Sequence, residues 1–206
     1  MVKPSKNQSE ELVALRDFVI EVMMAMDVWS EQQLTRLIDI DLGVLRKNAT
    51  QRHGVTRWKR GVRNPSNPEQ VEVIDLHPRL LTNEWMPYAA WVLHHEFVHA
   101  LGYTAHDSTF RSLEALWPSQ ESSKMGSNFT EMLRKERATW LWICTTCKKE
   151  YPRQKPGKGR YLCRICRTVL KDVPNNPSQC LVLIATASYA QSGCYLTTLY
   201  HFFTYC

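Results

Sequence analysis

The chain has 206 residues, 44% of them apolar and 22% charged, with a formal net charge of +6 and a pI near 9.0. That balance excludes wholesale disorder and suits one moderate domain, or a catalytic domain with a small appendage. The positive charge favours acidic partners, nucleic acid first among them.

Residues 1–10 are polar and are expected to fray. No apolar segment of signal-peptide type opens the chain, so a cytoplasmic setting is expected, nucleoid-associated or, in a eukaryote, nuclear. Leu12, Leu15, Phe18, Val19, Val22, Met23 and Met26 recur at helical spacing and predict a helix over 11–27. Ser30 and Gln33 have capping-box spacing, which predicts a second helix from Glu31 to about Leu45.

Between 46 and 63 the chain carries seven cations and no acid, with Val55, Trp58 and Val62 interleaved and Gly54 and Gly61 as punctuation. Strands and turns are expected there. Arg57, Lys59 and Arg60 are candidate nucleic-acid contacts. Asn64–Pro68 is a turn by its chemistry, and Val71, Val73 and Ile74 predict a strand stopped by Pro78. A helix is expected from about Glu84 to Leu101, ended by Gly102. Another is expected over Ser108–Trp117. Residues 119–127 read as a polar loop and 128–139 as helical.

His95-Glu96-Phe97-Val98-His99 falls inside the predicted helix. Residues i and i+4 share a face one turn apart, so both imidazoles can reach one metal ion. Glu96 can then act as general base towards water activated by zinc. His94 does not start a competing motif, because its i+4 partner is Val98. A catalytic zinc keeps three protein ligands, and His106, seven residues after His99, is the candidate third. Glu114 is the alternative. Tyr103 is a candidate oxyanion stabiliser only by its place in the sequence.

Cys144-x-x-Cys147, fifteen residues, then Cys163-x-x-Cys166 is zinc-ribbon spacing. Four thiolates leave no open coordination position, so this second zinc is expected to be structural. Lys148, Lys149, Lys155, Lys158 and Arg160 crowd the ribbon, with Glu150 the sole acid between Cys144 and Lys171. They are candidate nucleic-acid contacts, with Tyr151 and Tyr161 placed to stack on bases.

From Val173 to Cys206 there is no charged side chain. This tail can pack on the domain or carry a partner motif. Leu196-Thr-Thr-Leu199-Tyr-His-Phe202-Phe203 is like a sliding-clamp-binding box with Leu196 in the place of Gln. Polar interruptions argue against a membrane anchor.

Taken together, Val92–Ala100, His106-x-x-x-Phe110 and the four-cysteine ribbon resemble the SprT-like family, as does the stretch Val73–Leu81 ahead of the helix. The resemblance covers roughly residues 11–171. It implies an α+β fold: a helical, zincin-like metallopeptidase core with a small sheet (1–139) and a zinc ribbon (140–172), with the tail (173–206) outside the resemblance. It implies a catalytic zinc on His95, His99 and His106, with Glu96 catalytic. The family's Spartan proteases cleave proteins crosslinked to DNA and are switched on by DNA, which implies a protein substrate and DNA as partner. One departure is Asp107, where many members have Gly.

Overall fold

A computed structural model describes residues 2–175, so the clamp-box segment and most of the uncharged tail lie outside the described residues. The fold is mixed α+β. Two compact units divide at Arg134/Lys135. The boundary falls before the expected 139/140 because the last turn of the preceding helix is tied to the second unit. Lys135 pairs with Glu150, and the Asn175 amide donates to the carbonyls of Lys135 and Ala138.

In the first unit, α1 (Lys6–Met24) starts earlier than expected. Ser5 makes a full capping box with Gln8, which satisfies the N–H groups of both residues and fixes the helix start there. Leu12, Leu15, Val19, Ile20 and Met23 form its buried stripe. α2 (Glu31–Thr35) begins at the predicted Ser30 box but lasts only five residues. The chain then turns so that Leu37 and Ile40 reach the core, and it enters a strand, β1 (Leu42–Val44), where helix was expected.

β2 (Gly54–Trp58) and β3 (Val71–Leu76) complete a three-stranded sheet in the order β1-β3-β2. β1 runs parallel to β3 and β2 runs antiparallel to it. Five of the six β3 residues are buried, as expected of a central strand covered on both faces. Among the described residues β2 pairs only with β3, which leaves its outer edge free.

α3 (Met86–Ala100) packs against this sheet and against α1. Leu93, Phe97 and Ala100 of α3 join Ile74, Leu76, Leu12 and Val19 in one core. Gly102 closes α3 with φ +105°, and a Cβ there would meet the Ser66 carbonyl oxygen at 2.8 Å. α4 (Ser108–Glu114) follows, shorter than expected. α5 (Gln120–Arg137) includes residues 120–127, whose polar composition predicts loop. Ser122, Phe129 and Leu133 bury its inner face, and Gly126 lets it approach the Tyr88 hydroxyl.

The second unit holds an antiparallel sheet of β4 (Trp140–Cys144), β5 (Glu150–Arg153) and β6 (Leu170–Pro174), with β4 in the middle. Trp142, Leu170 and two of the cysteines form its small core. No helix among the described residues is long and apolar enough to cross a membrane.

Candidate metal centre and ribbon

α3 presents His95 and His99 on one face, and the turn after Gly102 returns His106 to them. The three Nε2 atoms converge: His106 Nε2 lies 3.1 Å from that of His99 and 3.2 Å from that of His95. Nitrogens bound at about 2.0–2.1 Å to a tetrahedral zinc are roughly 3.3 Å apart. The spacing therefore fits a three-histidine metal site, and these residues group as possible ligands.

The remote nitrogens are engaged elsewhere. His95 Nδ1 lies 2.6 Å from Glu114 Oε1, and His99 Nδ1 lies 2.8 Å from the Tyr103 carbonyl. With Nδ1–H donating in each, Nε2 carries the lone pair a metal needs. Burial lowers both imidazoles, His99 to about 4, which keeps them neutral. Phe110, fully buried, packs against all three rings at 4.6–4.9 Å between centroids. Asp107, the departure from the family pattern, caps α4 by accepting from the Phe110 N–H at 2.9 Å. That cap fixes the helix that carries Phe110.

Glu114 is thus a partner of His95 rather than a third ligand. Burial pushes its carboxyl up, but hydrogen bonds from His95 and Arg111 outweigh this and hold it low. Tyr103 contributes its carbonyl, while its ring packs edge-on against Trp29. His94 points away into the core, beside Trp117.

Glu96 is 5% exposed and stands beside the histidine cluster in a cleft of ≈ 500 Å³. The cleft is lined by Gly54, Thr56 and Trp58 of β2, among others. Burial raises the Glu96 carboxyl to about 7, opposed by the Thr56 hydroxyl, which donates to Oε2 at 2.7 Å. Two residues of β2 contribute here with no motif to mark them, Thr56 and Gly54, the latter more than a turn residue. A Cβ on Gly54 would lie 2.6 Å from Glu96 Oε1 and 2.7 Å from Val92 Cγ1. Gly54→Ala is therefore expected to cost about 1–3 kcal/mol of stability by overpacking. Denaturant unfolding measures it, and an unchanged midpoint would show that β2 yields freely.

In the second unit the four Sγ atoms lie within 4.8 Å of one another and form no disulfide. Cys147 and Cys163 are 3.7 Å apart at sulfur. Thiolates on a tetrahedral zinc at about 2.3 Å stand roughly 3.8 Å apart, so this set also fits the metal. Each Cys-x-x-Cys pair is followed by a left-handed residue, Lys148 (φ 60°) and Arg167 (φ 59°), whose N–H bonds back to the first cysteine's carbonyl. The Cys166 backbone N–H and then the Tyr151 hydroxyl pull Cys163 down to about 6. Cys166, beside Cys147, is pushed up to about 12. Four crowded sulfurs resist full ionisation unless a cation neutralises them.

The cationic candidates separate into three groups. Lys155, Lys158 and Arg160 line a cleft of ≈ 560 Å³ with Trp142, Arg153 and Tyr161. Trp142 and Tyr161 stack at 4.3 Å, and Arg153 lies over Trp142 at 5.0 Å. Asp172 accepts from the N–H groups of Gly157 and Lys158, which fixes the turn between these cations. Lys148 and Lys149 sit on the first cysteine turn, where Lys149 lies 5.8 Å from the Tyr151 ring. In the first unit Lys59 and Arg60 are exposed beyond β2, whereas Arg57 is engaged at 2.6 Å by the buried carboxylate of Asp75.

No protein-family model, curated protein or solved structure matches this chain.

Proposed function

We propose that this protein is a zinc-dependent metalloendopeptidase of the SprT-like kind, with a zincin-like core, acting on DNA-bound or DNA-crosslinked proteins. The observation that carries the peptidase reading is the pairing of three convergent imidazoles with a buried carboxylate in an open cleft. A purely structural site has no need of a base beside it.

His95, His99 and His106 would hold the catalytic zinc. When bound, zinc supplies Lewis acidity that polarises a peptide carbonyl and brings the pKa of water towards neutrality. Glu96 takes a proton from the attacking water and returns it to the departing amine. Thr56 holds one Glu96 oxygen at 2.7 Å, which leaves the other to face that water. The free edge of β2 borders the cleft and can pair with an extended substrate backbone. Such pairing selects unfolded or unstructured protein segments over folded ones.

The DNA association is supported by the ribbon. Its cleft sets Trp142 and Tyr161 among Arg153, Lys155, Lys158 and Arg160. Trp142 is buried and backs the ring of Tyr161, whose exposed side can take an unstacked base while the cations take phosphates, a combination suited to single-stranded nucleic acid. The structural zinc would hold the two cysteine turns that frame this face.

The experiment is cleavage of a DNA-binding protein by zinc-loaded enzyme, with and without single-stranded DNA. Faster cleavage with DNA is the expected result. Cleavage indifferent to DNA would leave a peptidase and remove the DNA role. DNA binding without any cleavage would make the protein a nucleic-acid-binding zinc protein.

A further inference from the structure

α4 touches the histidine cluster at two points, Phe110 and, one turn beyond it, Glu114, while His106 itself lies just before the helix. Four-residue steps keep Phe110 and Glu114 on one helix face. Phe110 supports all three rings, whereas Glu114 touches only His95.

The Glu114 side chain is 11% exposed and held at both oxygens. Oε1 meets His95 Nδ1 at 2.6 Å, and Oε2 accepts from the Arg111 guanidinium at 2.8 Å. That second hold keeps the carboxylate from swinging round to the metal side. His99 is oriented by a neutral carbonyl instead, at the longer 2.8 Å. Charge-assisted hydrogen bonds are shorter and about twice as strong as neutral ones. The two helix ligands are therefore supported unequally.

We propose that Glu114 is a positioning residue of the metal centre, fixing His95 as the Nδ1–H tautomer with Nε2 aimed at the metal, and so setting metal affinity. That role presupposes a metal held by the three histidines. With the proton on Nε2, His95 could not ligate, and its Nδ1 lone pair would face a carboxylate. The carboxylate makes that tautomer costly and raises the basicity of the ligating nitrogen.

The test uses the full chain carrying both zinc ions and a chromogenic chelator that resolves them as separate classes. Glu114→Gln keeps the side-chain size and an acceptor but loses the charge. It is expected to weaken the histidine-held zinc about tenfold, and Glu114→Ala up to about 100-fold, with the cysteine-held zinc unchanged. The visible spectrum of the cobalt-substituted histidine site is expected to shift in both variants. Unchanged affinity and spectrum in both would overturn the proposal. So would a loss shared equally by the cysteine site, which would report general unfolding. If the wild-type chain releases only the cysteine-held class, the histidine metal site itself fails, and that outcome is distinct from a wild type that binds two zinc ions and variants that match it.

Discussion

Glu96→Gln is expected to lower peptide hydrolysis by about 10²–10⁴-fold, the range for loss of a general base. The substitution keeps the shape of the side chain and an acceptor for the Thr56 hydroxyl, which donates to Oε2 at 2.7 Å. It removes the proton acceptor and leaves the three imidazoles in place. Two zinc ions per chain should therefore still be found by metal analysis, and the unfolding midpoint should not fall. It can rise, because Glu96 is buried and burial opposes its ionisation. The combination of lost turnover with retained metal separates a base from a ligand. Loss of one zinc with loss of activity would place Glu96 among the ligands.

Cys163→Ser is expected to have the largest structural effect. A structural zinc contributes about 10–16 kcal/mol in small zinc modules, more than the small core around Trp142 and Leu170 can replace. Cys163 is fully buried and adjoins both Cys147 and the Tyr151 hydroxyl. Limited proteolysis should then cut between β4 and β6, while the first unit, with its own core from Leu12 to Leu133, stays resistant. A variant as resistant as the wild type across β4–β6 would mean that the sheet stands without its metal. The same variant should weaken DNA binding, since the turns carrying the ribbon's cations would no longer be fixed.

Much of the site could be read from local spacing. His95 and His99 are one helical turn apart, and the Cys-x-x-Cys pairs each close a tight turn, so their chemistry survives without knowledge of the fold. The ends of elements were harder. Leu34, Leu37 and Ile40 keep a helical rhythm past the end of α2, because turns as well as helices can aim such residues inward. β1 was hidden by its length, three residues that become a strand only through parallel pairing with β3. The start of α5 read as loop because its serines are polar, yet Ser122 is buried and Gly126 faces Tyr88.

Non-local partners left no local signal. Thr56 reaches Glu96 from 40 residues away in sequence, and Gly54 matters only because β2 lies close against α3. Glu114 was visible as an acid near the motif, but its role depends on which imidazole nitrogen it meets. The cation run at 46–63 likewise mixes exposed Lys59 and Arg60 with Arg57, which serves an internal pair with Asp75. Charge counted along a sequence does not distinguish these uses.

The central claim is best tested by withdrawing and restoring the histidine-held zinc. A chelator strong enough for the three-histidine site but not for the four-cysteine site would yield protein with one zinc. Proteolysis of an unfolded protein substrate would then be followed as zinc is added back. Activity absent at one equivalent and fully restored at two is the predicted result. Undiminished activity at one equivalent, or none at two, would contradict a zinc peptidase centred on His95, Glu96, His99 and His106.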